Sequence, residues 1–129
     1  MAHEVWQDWM DQADHDLEVA RGMRENGWHD TSVIQAQQAA EKAAKALWMK
    51  EHGRLAPRTH AVDELARQVD APPNIVAAGE RLADVYFVSR YPDGDPGPPF
   101  RTVDAAQADA RIQDAEEIIA WVKQRLDSN

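Results

Sequence analysis

Gln37-Gln38-Ala39-Ala40-Glu41-Lys42-Ala43-Ala44-Lys45-Ala46-Leu47 decides the fold of this chain. Ala, Leu, Lys, Glu and Gln all favour helix, and no Gly or Pro interrupts them. Val33, Ala36, Ala40, Ala43, Ala44, Leu47 and Trp48 recur at three- and four-residue steps, so they line one side of that helix. The alanines let a neighbouring helix approach closely. Glu41 precedes Lys45 by one turn, the favourable order for a surface pair. The plain reading is a solvated ion pair between helices; the sharper one has Lys42 or Lys45 meeting a phosphate.

Working outward, this helix is expected from about Asp30 to His52, with Ser32 and Gln35 as a capping box and Gly53 as its stop. Before it, Trp6, Trp9, Met10, Ala13, Leu17 and Ala20 make an amphipathic helix from about His3 to Glu25, ended by Asn26-Gly27. After it, a short helix beginning near Thr59 or His60 carries Val62, Leu65, Ala66 and Val69. Pro72-Pro73 opens a fourth helix, lined by Ile75, Ala78, Leu82, Val85 and Tyr86 and closed by Pro92. The proline- and glycine-rich run Asp93 to Phe100 reads as a loop. Thr102 is expected to cap the last helix, where Ala108, Ile112, Ala115, Ile119, Val122 and Leu126 alternate steps of four and three. Such spacing suits antiparallel packing. The expected fold is all-α: an up-and-down antiparallel bundle of four long helices plus one short helix. Trp28, Ile118 and Trp121 fall off these stripes, and that surplus apolar surface predicts a homodimer.

The length of 129 residues fits one domain, residues 1–129. No apolar run is long enough to span a bilayer, and the N-terminal residues lack the pattern of a signal peptide. The absence of cysteine excludes disulfides and thiolate metal sites and fits a cytoplasmic protein. A net charge of −9 repels nucleic acid on average, so any phosphate recognition must be local. The charge is uneven. The first helix carries Glu4, Asp8, Asp11, Asp14, Asp16 and Glu18, whereas Lys42, Lys45, Lys50, Arg54 and Arg58 face only Glu51 between Lys42 and His60.

Several chemistries lack their parts. No HExxH pattern occurs, and Asp11 with His15 supplies too few ligands for a metal site. No Gly-rich phosphate loop and no nucleophile elbow is present. No cofactor is implied. What remains is Lys, His, Arg and Tyr in three patches: Gln37–Leu47, Thr59-His60-Ala61-Val62, and Tyr86-Phe87-Val88-Ser89-Arg90-Tyr91-Pro92-Asp93. These are the side chains a nucleotide or RNA phosphate needs. Lys42, Lys45 and Arg90 would contact phosphates, Tyr86 or Tyr91 would stack on a base, and His60 would hydrogen-bond.

The order and spacing of these patches resemble the HEPN (higher eukaryotes and prokaryotes nucleotide-binding) family, in its prokaryotic stand-alone type. The resemblance rests on QQAAEKAAKALW from Gln37 to Trp48, on Thr59-His60, on Tyr86 four residues before Arg90-Tyr91-Pro92-Asp93, and on Trp6, Trp9, Ala13, Asp16-Leu17 and Ala20. It covers about Trp6 to Leu126. It implies an all-α bundle, usually dimeric, binding an ATP-like nucleotide or RNA. It also implies a small nucleotidyltransferase partner, with the HEPN chain as substrate-binding subunit or as the toxin of a toxin–antitoxin module. Many members are metal-independent endoribonucleases in which four to six residues separate an Arg from a following His. Arg54 and His60 have that spacing, but before the short helix rather than on a later one. Arg90 lies in the later region, yet no His follows it. Arg90, His60 and Arg54 are the catalytic candidates; the departure favours a non-catalytic binding domain over a ribonuclease. A purely structural interaction domain is the third reading.

Overall fold

A computed structural model describes residues 4–88 and 97–128, and of residues 86–88 the backbone alone. Among the described residues six helices follow one another: α1 (Val5–Glu25), α2 (His29–His52), α3 (Val62–Gln68), α4 (Pro73–Val88), α5 (Pro99–Thr102) and α6 (Ala105–Ser128). The described residues contain no strand. α1, α2, α4 and α6 are the four long helices of an up-and-down bundle, in agreement with the sequence. α5 is an additional turn of helix that begins inside the stretch expected to be loop, at Pro99, and runs past its end to Thr102.

α2 is the central element, packed against α1, α3, α4 and α6. Its alanines explain how. Ala36, Ala39, Ala40, Ala43 and Ala46 are fully buried, as are Ala13 and Ala20 on α1. Small residues facing each other bring helix axes toward the near end of the usual range, about 8 Å. Burial reaches nearly all round α2, so its polar residues go inside as well: Ser32, Gln37, Glu41 and Lys45 are all buried.

Helix ends follow local chemistry, with some corrections. Gly53 ends α2 in a left-handed conformation (φ 68°), its N–H donating to Met49 O at 2.8 Å. Ser32 does not cap α2, which begins three residues earlier. Its hydroxyl donates to Ala20 O at 2.8 Å and ties α2 to α1 in the core. α3 starts at Val62, so Thr59 and His60 lie in the preceding loop. There Thr59 Oγ1 accepts the Ala61 N–H at 3.1 Å. Thr102 belongs to α5. The residue that opens α6 is Asp104: its carboxylate accepts the Gln107 N–H at 2.8 Å, and its own N–H donates to Gln107 Oε1 at 2.8 Å. Such a reciprocal box satisfies two backbone donors that the first turn leaves open.

Two of the surplus apolar residues find partners inside the protomer. Ile118 is 1% exposed, and Trp121 packs on the core beneath the Arg125 guanidinium, 5.5 Å from its ring centre. Trp28 remains 64% exposed. α4 is held close to α3 at Gly79, where an added Cβ would stand 2.9 Å from the Asp63 backbone.

Candidate functional site

The sequence-derived site residues fall into two groups. Lys42, Lys45 and His60 are on α2 and the loop after it. Tyr86 is on the last turn of α4 but its side chain lies outside the described residues, as do Arg90 and Tyr91.

Glu41 organises the first group. Its carboxylate accepts from Lys45 Nζ at 3.0 Å and from Gln37 Nε2 at 2.9 Å, and its Oε1 lies 3.1 Å from His60 Nδ1. Gln37 also donates to His60 O at 3.2 Å, which fixes the loop carrying the imidazole. The side chains of Lys45 and Glu41 are 9% and 6% exposed, so the pair is sealed in the interior rather than solvated. The reason is its position: one turn apart, Gln37, Glu41 and Lys45 share a buried side of α2 with alanines. A buried carboxylate losing its cation would cost several kcal/mol, so Lys45 is committed to Glu41. His60 is half exposed and remains at the surface.

Lys42 has a different partner. Its ammonium is paired with Asp16 of α1, a buried carboxylate that also accepts from Gln12 Nε2 at 2.9 Å. Asp16 was legible in the sequence as an acid on the apolar stripe of α1, in step with Ala13 and Ala20. Trp9 lies beside both the Glu41 cluster and the Lys42–Asp16 pair. Lys45 Nζ lies 5.8 Å from its ring centre, and Trp9, Gln12 and Lys42 border a shallow cavity of 290 Å³. Lys42, Lys45 and His60 are therefore linked through Glu41 and Trp9, but both lysines are already balanced by carboxylates.

The cations without carboxylates lie further along. Among the described residues, no acid pairs with Arg54 or Arg58, and both are exposed. Arg54 covers the Trp48 ring at 5.3 Å, and Trp48 stacks on His52 with centroids 4.0 Å apart. Lys50 lies over Trp6 at 5.0 Å and donates to Leu126 O at 2.9 Å. Trp6, Lys50, Arg54 and Leu55 border a cavity of 530 Å³ where the end of α2 meets the start of α1. Trp48 is in the core, 4% exposed, as its place on the apolar stripe of α2 predicts; Trp6, placed on the apolar stripe of α1, is only partly buried against that core and borders the cavity. The basic run beside them was the available signal. Cations beside a partly exposed aromatic ring are what a base and its phosphate use.

A second buried acid holds α4 to α6. Asp114 accepts from Arg81 through Nη2 at 2.8 Å and Nε at 3.1 Å, and Arg111 Nε lies 3.1 Å away on its other side. The Asp114 hydrogen bonds raise the Arg81 pKa above its ordinary value. Among the described residues, no three His, Asp or Glu side chains gather as metal ligands, and no helix is long and apolar enough to cross a membrane.

A helical bundle with a central alanine-rich helix, an internal Glu–Lys–His cluster and a basic loop beside it defines the class. The chain belongs to the HEPN domain family, whose profile matches residues 6–125. Solved structures agree. TT1696 from Thermus thermophilus is 33% identical with a TM-score of 0.85, covering 92% of this chain and 96% of that one. ST0689, an archaeal HEPN homologue, is 33% identical with a TM-score of 0.81, covering 95% and 98%. An HEPN domain protein from Thermotoga maritima is 27% identical with a TM-score of 0.71, covering 93% and 98%. No protein of curated function matches the chain.

Proposed function

We propose that this HEPN protein binds an ATP-like nucleotide, or a short RNA segment of the same chemistry, at the cavity between Trp6, Lys50, Arg54 and Leu55. The reading has it act non-catalytically with a small nucleotidyltransferase partner, as the substrate-binding subunit or the toxin of a paired module. The supporting observation is the cavity itself. It lies where the basic end of α2 meets the start of α1 and combines the Trp6 ring with the Arg54 guanidinium and the Lys50 ammonium, against one lining carboxylate, Glu4. Arg54 and Arg58 take the phosphates, and Trp6 takes the base. Lys42 and His60 extend the surface, whereas Lys45 holds Glu41 in place. The acidic α1 favours a basic partner by electrostatic steering. Calorimetry with ATP tests the site. Binding should weaken about tenfold or more on Arg54→Ala with Arg58→Ala, an arginine–phosphate contact being worth about 1.5–3 kcal/mol. No heat with or without the nucleotidyltransferase would remove the proposal, and partner binding indifferent to salt would remove the steering.

A ribonuclease reading has one observation in its favour. Glu41 holds the His60 imidazole at the end of the loop that carries Arg54 and Arg58, an arrangement that suits acid–base work on RNA. Cleavage of RNA by the wild type and its loss in His60→Ala would support it; cleavage retained in both His60→Ala and Arg90→Ala would discard these assignments.

A further inference from the structure

At the opposite end of α2 lies a separate open cavity of 490 Å³, bordered by α2, α4, α6 and the segment joining α5 to α6. Its walls are apolar: Val33, Val85, Val103 and Ala110. Its polar groups are two guanidiniums, Arg81 and Arg111, two carboxylates, Asp84 and Asp104, and the Gln107 amide, whose Oε1 accepts the Asp104 N–H. The volume is within the range of small-molecule sites, about 300–1,000 Å³, and an apolar wall with a few converging polar groups is their usual make-up.

The charges narrow the ligand. Among the described residues, Arg81 and Arg111 share Asp114 as their one ion-paired carboxylate, while Glu117 and Glu80 act on Arg81 only through longer-range attraction. Arg111 Nε is buried and, although 3.1 Å from Asp114 Oδ2, has no hydrogen-bond partner among the described residues. A further acceptor is therefore called for at the arginines, and a carboxylate fits a guanidinium fork. Asp84 has no cationic partner among the described residues and stands one turn along α4 from Arg81. Asp104 is already engaged as the cap of α6. These rim acids repel a polyphosphate but attract an ammonium group. A ligand that meets all three demands carries one carboxylate, one ammonium and an apolar body.

We infer that this cavity binds a zwitterionic small molecule, an α-amino acid with a large apolar side chain. Its carboxylate sits on Arg111 and Arg81, its ammonium on Asp84, and its side chain among the valines. The site is distinct from the nucleotide surface and does not depend on it.

The test is calorimetry with L-phenylalanine, 3-phenylpropionate, which lacks the ammonium, and phenethylamine, which lacks the carboxylate. L-phenylalanine should bind saturably with a Kd of about 1 mM or tighter, and each truncated analogue at least about tenfold more weakly, the loss of one charged contact. Arg111→Gln should weaken L-phenylalanine and leave phenethylamine unchanged. Ala106→Trp, at an exposed lining position, should abolish all binding while the melting temperature and ATP binding persist. Absence of saturable L-phenylalanine binding, equal binding of phenethylamine, or full binding by Arg111→Gln with its fold intact would each overturn the inference. ATP binding lost while L-phenylalanine binding persists would count against the nucleotide proposal alone.

Discussion

Glu41 and Asp114 are both buried carboxylates on long helices, yet they do opposite things. Glu41 is closed in by Lys45 and Gln37 of its own helix and by His60 of the following loop. Its lysine is 9% exposed and carries no charge to spare. Asp114 faces Arg81, which keeps 45% of its side chain exposed, and Arg111, which keeps 24%. The first acid has its positive charge matched from within one helix. The second is outnumbered by guanidiniums supplied by two helices beside a cavity. The lesson is that an unusual charged residue in an alanine-rich helix is not by itself a binding group. Exposure of its partner decides whether charge is left for a ligand.

The comparison breaks most directly at Glu41. Glu41→Ala leaves the Lys45 ammonium buried without an acceptor and should cost about 3–5 kcal/mol, read by urea unfolding. A loss below about 1 kcal/mol would mean that Lys45 swings into water and that the cluster is not sealed. Gly79→Ala is the next largest effect. The new methyl would press on the Asp63 backbone, 2.9 Å away, and should cost about 1–3 kcal/mol. Because α3 follows the His60 loop, it should shift the His60 resonances and leave Arg111 unchanged. Movement at both sites would show the two clusters to be coupled.

Asp114→Asn should cost less, about 1–2 kcal/mol, since Arg81 can return to water when its carboxylate is neutralised. A loss as large as that of Glu41→Ala would mean that Asp114 is sealed in as Glu41 is. The smallest effect belongs to the exposed Arg24–Asp109 pair, with its Nε–Oδ1 distance of 2.7 Å. The Arg24 hydrogen bond holds the Asp109 carboxyl below its usual pKa. Its folded pKa is thus depressed, so its contribution is present above the unfolded value near 4 and is lost as pH falls through the folded one. A carboxyl-carbon titration by NMR should place Asp109 below its ordinary range, and Arg24→Gln should restore it; a normal midpoint in the wild type would show that the pair does not form.

Much of this was legible from residue spacing. The four long helices came from periodicity, and Asn26-Gly27, Gly53 and Pro73 marked ends that the structure keeps. The starts were harder. Ser32 and Thr102 have the right side chains for caps, but Ser32 is drawn to an α1 carbonyl and Thr102 into α5. A hydroxyl's choice of acceptor depends on what packs beside it. The homodimer expected from Trp28, Ile118 and Trp121 now rests on Trp28, since the other two are covered within the protomer. The Arg90 and Tyr91 assignments fall outside the described residues.

The residue pattern by itself established an all-α helical bundle, because apolar periodicity, glycine stops and an alanine-rich central helix are local properties that need no partner to be read; the likeness to the HEPN family rested instead on the order and spacing of its three polar patches. Only the tertiary structure decided which charges are spent and which are available. Lys45 is consumed by a neighbour one turn away once α1 and α3 close over it, while Arg54, Arg58 and Arg111 keep unmatched donors. Burial and distance set the worth of a charge, and both arise when the helices pack.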